Sequence, residues 1–126
     1  MDYLKFVNAI IAQDNRNVIN KVQRQITDIP KQILGFFCQY DPIDVEIVMK
    51  DLSAVVLYPY SYLHQLQSEY NFGKEYFIFA TKNSDPIALF NGKVVTLAHG
   101  SRNLVFEIIA DNFDEYIVRL IKNMKP

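Results

Sequence analysis

The sequence predicts an α+β fold: N-terminal helices, a mainly antiparallel sheet of about five to six strands, and a C-terminal helix packed on the sheet. Three observations carry this expectation. Apolar residues recur at helical spacing before residue 38 and again after residue 112. Between those regions they alternate, or run on without a break, in segments of strand length separated by turn residues. Two such segments meet at Asn91-Gly92, the strongest short hairpin signal, because both central residues of a type I′ turn need positive φ.

Residues 2–13 and 16–26 read as helices. Leu4, Val7 and Ile11 share one face of the first, and Val18, Ile19, Val22 and Ile26 one face of the second. Asp14-Asn15 either breaks the two apart or caps the second, and one bent helix fits the pattern equally well. In TDIPKQILGFFCQYDP, Thr27 or Asp28 can cap a helix whose first turn holds Pro30, where a missing N–H costs nothing. Ile33, Leu34 and Phe37 form its inward stripe, and Asp41-Pro42 ends it.

IDVEIVMK then alternates, with Ile43, Val45, Ile47 and Met49 on one side and Asp44, Glu46 and Lys50 on the other. That is a strand with one wet face. AVVLY is a second strand, stopped by Pro59, and SYLHQLQSEY a short helix with Tyr62, Leu63 and Leu66 inward. YFIFA, apolar on both faces, reads as a central strand. Asn83-Ser84-Asp85-Pro86 turns the chain into IALF, KVVTLAH returns from Asn91-Gly92, and HGSRN turns it into a last strand, LVFEIIA.

That strand hands over abruptly to a helix. Ala110 ends it, and either Asp111 or Asn112 supplies an oxygen to the free N–H groups of the first helical turn. With Asn112 as the cap, Glu115 stands three residues on, as in a capping box. Phe113, Tyr116, Ile117, Leu120 and Ile121 form one apolar stripe. Glu115 and Arg119 make an i, i+4 pair, while Lys122 and Lys125 suit the negative helix end.

A length of 126 residues suits one domain, 1–126, able to bury about two-thirds of the surface its unfolded chain exposes. With 50% apolar and 21% charged residues it has the balance of a packed protein that needs neither metal nor disulfide to fold. Cys38 is the only cysteine, so no intrachain bridge is possible. The N-terminal residues are too polar for a signal peptide, and no apolar run has the roughly 18 residues of a membrane span, so the expected location is cytoplasmic. The net charge of −1 divides into +2 over residues 1–40, −4 over 41–75 and +1 over 76–126. No cluster of Lys and Arg marks nucleic acid or membrane as a partner.

Catalytic and cofactor signatures are missing. Glycines at 35, 73, 92 and 100 make neither G-x-G-x-x-G nor a P-loop, and two isolated histidines with one cysteine make a poor metal site. Cys38, beside Phe36 and Phe37, reads as an inert packed thiol rather than a nucleophile served by His64 or His99. The HGSRN turn with Arg102 could hold an anion on its backbone N–H groups, but a solvated loop tip is the plainer reading, and His64 reads as surface. The expectation is no enzyme, no cofactor and no metal.

Two features suit a protein partner instead. Asp41, Asp44, Glu46 and Asp51 gather along one strand and its flanks; such carboxylates usually only solubilise, yet they also speed association with a basic partner. Tyr58, Tyr60 and Tyr62 crowd a bend between strand and helix, where they either fill the boundary or offer rigid contact area with polar tips.

Ile29-Pro30 at a helix start, Phe79-Ala80 on a strand, and Ile109-Ala110-Asp111-Asn112-Phe113-Asp114-Glu115-Tyr116-Ile117 at the closing junction form, with the element order, a pattern that resembles the SUKH superfamily. That fold is shared by fungal cell-wall-synthesis regulators and many bacterial immunity proteins against polymorphic toxins. The resemblance spans about residues 25–123. The chain has no Trp, and Asn83-Ser84-Asp85-Pro86 stands where many members carry a Gly-rich turn. The resemblance implies a non-enzymatic protein-binding domain, an immunity protein that blocks a toxin by occluding its active site. The alternative it implies is an intracellular regulatory or scaffold module, as in the fungal relatives.

Overall fold

The computed structural model describes residues 1–98 and 105–126. Four helices and seven strands follow in the order α1 (Leu4–Gln13), β1 (Val18–Lys21), α2 (Lys31–Phe37), β2 (Tyr40–Val48), β3 (Ala54–Leu57), α3 (Tyr60–Tyr70), β4 (Phe77–Lys82), β5 (Asp85–Phe90), β6 (Lys93–Ala98), β7 (Val105–Ala110) and α4 (Phe113–Asn123). The strands form one sheet in chain order, each antiparallel to the next. The α+β architecture with flanking terminal helices is the one the patterning predicts, with one strand more. The expected HGSRN turn, with His99 and Arg102, lies outside the described residues.

The extra strand corrects the reading of residues 16–26 as a helix. Val18–Lys21 instead pairs with β2, and the backbone N–H groups of Val22 and Arg24 donate to the carbonyls of Gln39 and Cys38. The β-branched residues Val18, Ile19 and Val22 favour extended backbone once a partner strand is present, and that partner is invisible to local periodicity. The segment after β1 stays non-helical and sends Ile26 and Ile29 into the core.

The next helix also starts later and ends earlier than expected. Pro30 is its N-cap, while Thr27 and Asp28 lie outside it, and Asp41-Pro42 sits within β2 rather than ending the helix. Ile43 departs from the inward set too: it is exposed, whereas Val45, Ile47 and Met49 are buried. The pairing explains it, since Val18 opposes Asp44 and Ile19 opposes Pro42, which leaves Ile43 as the extra residue of a bulge where the alternation changes phase. The turn before β5 is tighter than Asn83–Pro86: only Asn83 and Ser84 have positive φ, and Asp85 and Pro86 already pair with Lys82 and Thr81. Asn91-Gly92 has positive φ at both positions, as predicted.

One face of the sheet carries the main core. Phe36 of α2 meets the rings of Tyr3, Phe6, Phe37, Tyr40 and Phe113 at centroid separations of 5.2–6.2 Å, which ties α1, α2, β2 and α4 together. Phe79 of β4 extends the cluster to Phe113 and Tyr116. The α4 stripe buries Phe113, Tyr116, Ile117 and Leu120, and Asn112 caps the helix by accepting from the Glu115 N–H. The Glu115 carboxylate reaches the N–H of Asp111 rather than of Asn112, so the box closes one residue further out.

The opposite face holds a smaller cluster of Leu66, Ile78, Ala88, Val95 and Leu97. Helix α3 belongs to both cores, with Leu63 in the first and Leu66 in the second. It can do so because β3 stops at Leu57, opposite Ala80, which leaves the edge of β4 open at Ile78. Gln67 fills that gap as a strand would: Nε2 donates to the Ile78 carbonyl at 2.6 Å, and Oε1 accepts from the Ile78 N–H at 2.7 Å. Gln67→Leu should therefore lower stability by about 2 kcal/mol in urea unfolding, because both Ile78 backbone groups lose their partner. An unchanged midpoint would contradict the clamp.

Candidate functional site

The seven residues singled out in the sequence do not form one surface. Asp41 is structural. Its carboxylate pairs with Arg24 Nη1 at 3.1 Å and accepts from the Tyr60 N–H at 3.0 Å. Pro59, the N-cap of α3, offers no side-chain cap, so Asp41 supplies the negative charge that a helix N-terminus favours. Tyr60 stacks under the Arg24 guanidinium, 4.7 Å from its ring centre, and donates its hydroxyl to Asp28 at 2.7 Å. His64 Nε2 lies 2.9 Å from the other oxygen of Asp28. The Tyr60 hydroxyl, and then His64, hold the Asp28 carboxyl below its ordinary range. This network fastens the extended segment after β1 to β2 and α3.

Asp51 lies at the far end of the sheet, in the turn after β2, where Ser53 and then Lys82 lower its carboxyl. Cys38 follows α2, half-buried against the main core.

The other four residues do share a face. Asp44 and Glu46 are exposed on β2, on the side away from the buried Val45 and Ile47. Glu46 opposes Val56, and Val56 opposes Thr81, so the same face continues across β3 to β4. There the Tyr58 hydroxyl shares a 3.0 Å hydrogen bond with Thr81 Oγ1. Tyr58 stacks on Tyr62, with ring centres 5.7 Å apart and planes 20° from parallel. Tyr62 donates to Glu69, a carboxylate the sequence reading passed over although it stands seven residues on, two turns along the same helix face. The result is a half-buried pair of rings with Asp44, Glu46 and Glu69 on the surface it belongs to. Arg16 is engaged by Asp14 at 2.7 Å and feels Glu46 and Asp44 more weakly.

A second feature has no counterpart in the sequence reading. On the main-core face, α4 leaves a cleft of about 440 Å³ against the strands. Met49, Val55, Ile87, Ile109 and Leu120 give it apolar walls, and Lys50, Asp51, Lys82, Glu107 and Arg119 its charges. Tyr116 lines it as well, and the Tyr116 hydroxyl is buried with no hydrogen-bond partner.

Among the described residues, no group of three His, Cys, Asp or Glu side chains could hold a metal ion, and no helix is long and apolar enough to cross a membrane. In comparisons with known proteins, no family model matches the chain, and no curated protein or solved structure matches it at a significant level.

Two buried phenols set an alkaline limit on the fold. Burial, and then the Asp114 carboxylate 2.7 Å away, push the Tyr3 hydroxyl far above the ordinary tyrosine range, and burial alone does the same to Tyr116. A phenol whose pKa is raised by folding contributes its full stability below the unfolded value of about 10 and loses it as pH rises toward the folded value. The urea midpoint should thus fall between about pH 10 and 11.5. A Tyr3→Phe, Tyr116→Phe double variant should fall less steeply, and an equal slope in both proteins would contradict the assignment.

Proposed function

We propose that the chain is a non-enzymatic binding protein, an immunity protein of the SUKH type that neutralises a bacterial toxin domain by covering its active site. The observation that carries this reading is the surface shared by Asp44, Glu46, Tyr58, Tyr62 and Glu69. Stacked rings lose little conformational freedom on binding, and surrounding carboxylates steer a basic partner, as the active-site cleft of a nucleic-acid-cleaving toxin would be. Support also comes from where the words of the resemblance fall. Ile29-Pro30 immediately precedes α2, Phe79-Ala80 lies in β4, and Ile109–Ile117 covers the passage from β7 to α4. Asp41, Tyr60 and Asp51 have other duties and are left out of the binding surface.

Affinity capture from lysate of the source organism, followed by mass spectrometry, tests the reading. One dominant partner with a toxin domain, released at high salt, is the expected result. Against that partner, Asp44→Lys combined with Glu46→Lys should slow association about ten-fold or more, with stability changed by less than about 0.5 kcal/mol because both residues are exposed. Unaltered association would remove the surface from the account. Capture of a cell-wall or signalling complex would favour the regulatory module.

A further inference from the structure

Helix α4 buries Phe113, Tyr116, Ile117 and Leu120, and it turns a different row outward. Asp114, Val118 and Lys122 stand four residues apart, so they follow one another along a single helix face. Val118 is 53% exposed, and Lys122 is exposed with no ion-pair partner among the described residues. Asp114 accepts the Tyr3 hydroxyl on Oδ1 at 2.7 Å, and Oδ2 takes no part in that bond. A single exposed valine is ordinary on a protein surface, but this one lies midway between a carboxylate and an ammonium group.

Helix α1 runs parallel to α4, since Tyr3 meets Asp114 near their starts and Gln13 meets Lys125 near their ends. Between them lies a groove of about 280 Å³ lined by Met1, Asp2, Lys5, Val118, Ile121 and Lys122. Met1 is 55% exposed and Ile121 half-buried, so they widen the apolar patch around Val118. Lys5 is exposed and, like Lys122, has no ion-pair partner among the described residues. Asp2 is occupied within its own segment, where it accepts the Leu4 N–H at 2.9 Å. The face is therefore acidic at Asp114, apolar at its middle and basic at Lys5 and Lys122.

Such a face is complementary to itself after half a turn. Asp114 and Lys122 each lie about 6 Å along the helix from Val118, on opposite sides. Two α4 helices packed antiparallel about Val118 thus set each Asp114 against the other copy's lysines, both pairs forming at once. A parallel arrangement would set like charges together. Glu115 and Arg119, on the neighbouring row, already satisfy each other.

We propose that this face is the contact between two copies of the chain, a two-fold dimer in which α4 packs antiparallel on its counterpart about Val118. Met1 and Ile121 of both copies complete its apolar centre. The patch is smaller than a standard stable interface, so the dimer forms with a dissociation constant of about 10–100 μM. It carries none of Asp44, Glu46, Tyr58 and Tyr62, so the inference stands apart from the proposed partner surface.

Sedimentation equilibrium of the full chain, from about 5 to about 500 μM and at low and high salt, tests it. A monomer–dimer equilibrium weakened by salt is expected. Val118→Glu should leave only monomer, and Lys122→Glu should weaken the dimer about ten-fold or more at low salt. Both should keep the thermal midpoint within about 2 °C, because both residues are exposed. Ile108→Glu, which alters an exposed apolar residue on the edge strand β7, should dimerise as the unaltered chain does. Oxidation of a Cys38→Ala, Val118→Cys chain should give disulfide-linked dimers, because the two new thiols face each other across the axis. The proposal is overturned by monomer at every concentration or by a dimer that Val118→Glu leaves intact. A dimer abolished by Ile108→Glu would also overturn it, placing the contact on the β7 edge.

Discussion

Phe36 meets five other aromatic rings, and those rings come from the approach to α1, from α1, α2 and β2, and from the first residue of α4. A ring buried among rings gains edge-to-face attraction as well as apolar burial, and it tolerates little displacement of any element that contributes. This one cluster therefore commits three of the four helices to one face of the sheet. The chain ends meet there as well: the Tyr3 hydroxyl donates to Asp114, and Gln13 donates to the carbonyls of Val48 and Lys125. With three helices so placed, the opposite face is left to α3 and to the rings that follow it.

That unequal division shapes both candidate surfaces. Helix α3 enters through the gap beside β4, so the second core sits over β4, β5 and β6 and does not reach Asp44 and Glu46 on β2. Carboxylates can stand there in water, beside stacked tyrosines whose lower parts are held by the small core. On the other face, α4 buries Phe113, Tyr116, Ile117 and Leu120, and its C-terminal end is tied to β2 and the turn after it. A cleft lined by Tyr116, Leu120 and Asn123 remains beside it. One surface is open and acidic; the other is a cleft with apolar walls and charged residues around them.

Legibility from sequence followed the range of the interactions. Helix α4 was largely readable because its cap, its stripe and its i, i+4 pair all lie within a dozen residues, although the cap stood open between Asp111 and Asn112 and Glu115 closes the box on Asp111. The Asn91-Gly92 hairpin was readable for the same reason. Strand β1 was not, because Val18, Ile19 and Val22 satisfy a helical spacing and only pairing with residues 40–44 makes them extended. The role of Asp41 was hidden because its partners, Arg24 and the Tyr60 N–H, lie 17 and 19 residues away. The cleft was wholly hidden, since its lining is gathered from strands β3 to β7, the turn after β2, and α4. Of the seven candidate residues, the four that share a face had the least local evidence for doing so. Asp44 and Glu46 alternate with core residues on β2, and Tyr58 and Tyr62 reach them only through the register of three strands.

The central claim is that partner binding belongs to the acidic and tyrosine-bearing face and leaves the α4 cleft free. Hydrogen exchange of the chain, alone and saturated with its captured protein partner, tests this most directly. The account predicts slowed exchange in peptides covering residues 43–48 and 56–70, with peptides from residues 113–123 unaffected. Slowed exchange concentrated on α4, with β2 and α3 unchanged, would place the partner on the opposite face and contradict the account.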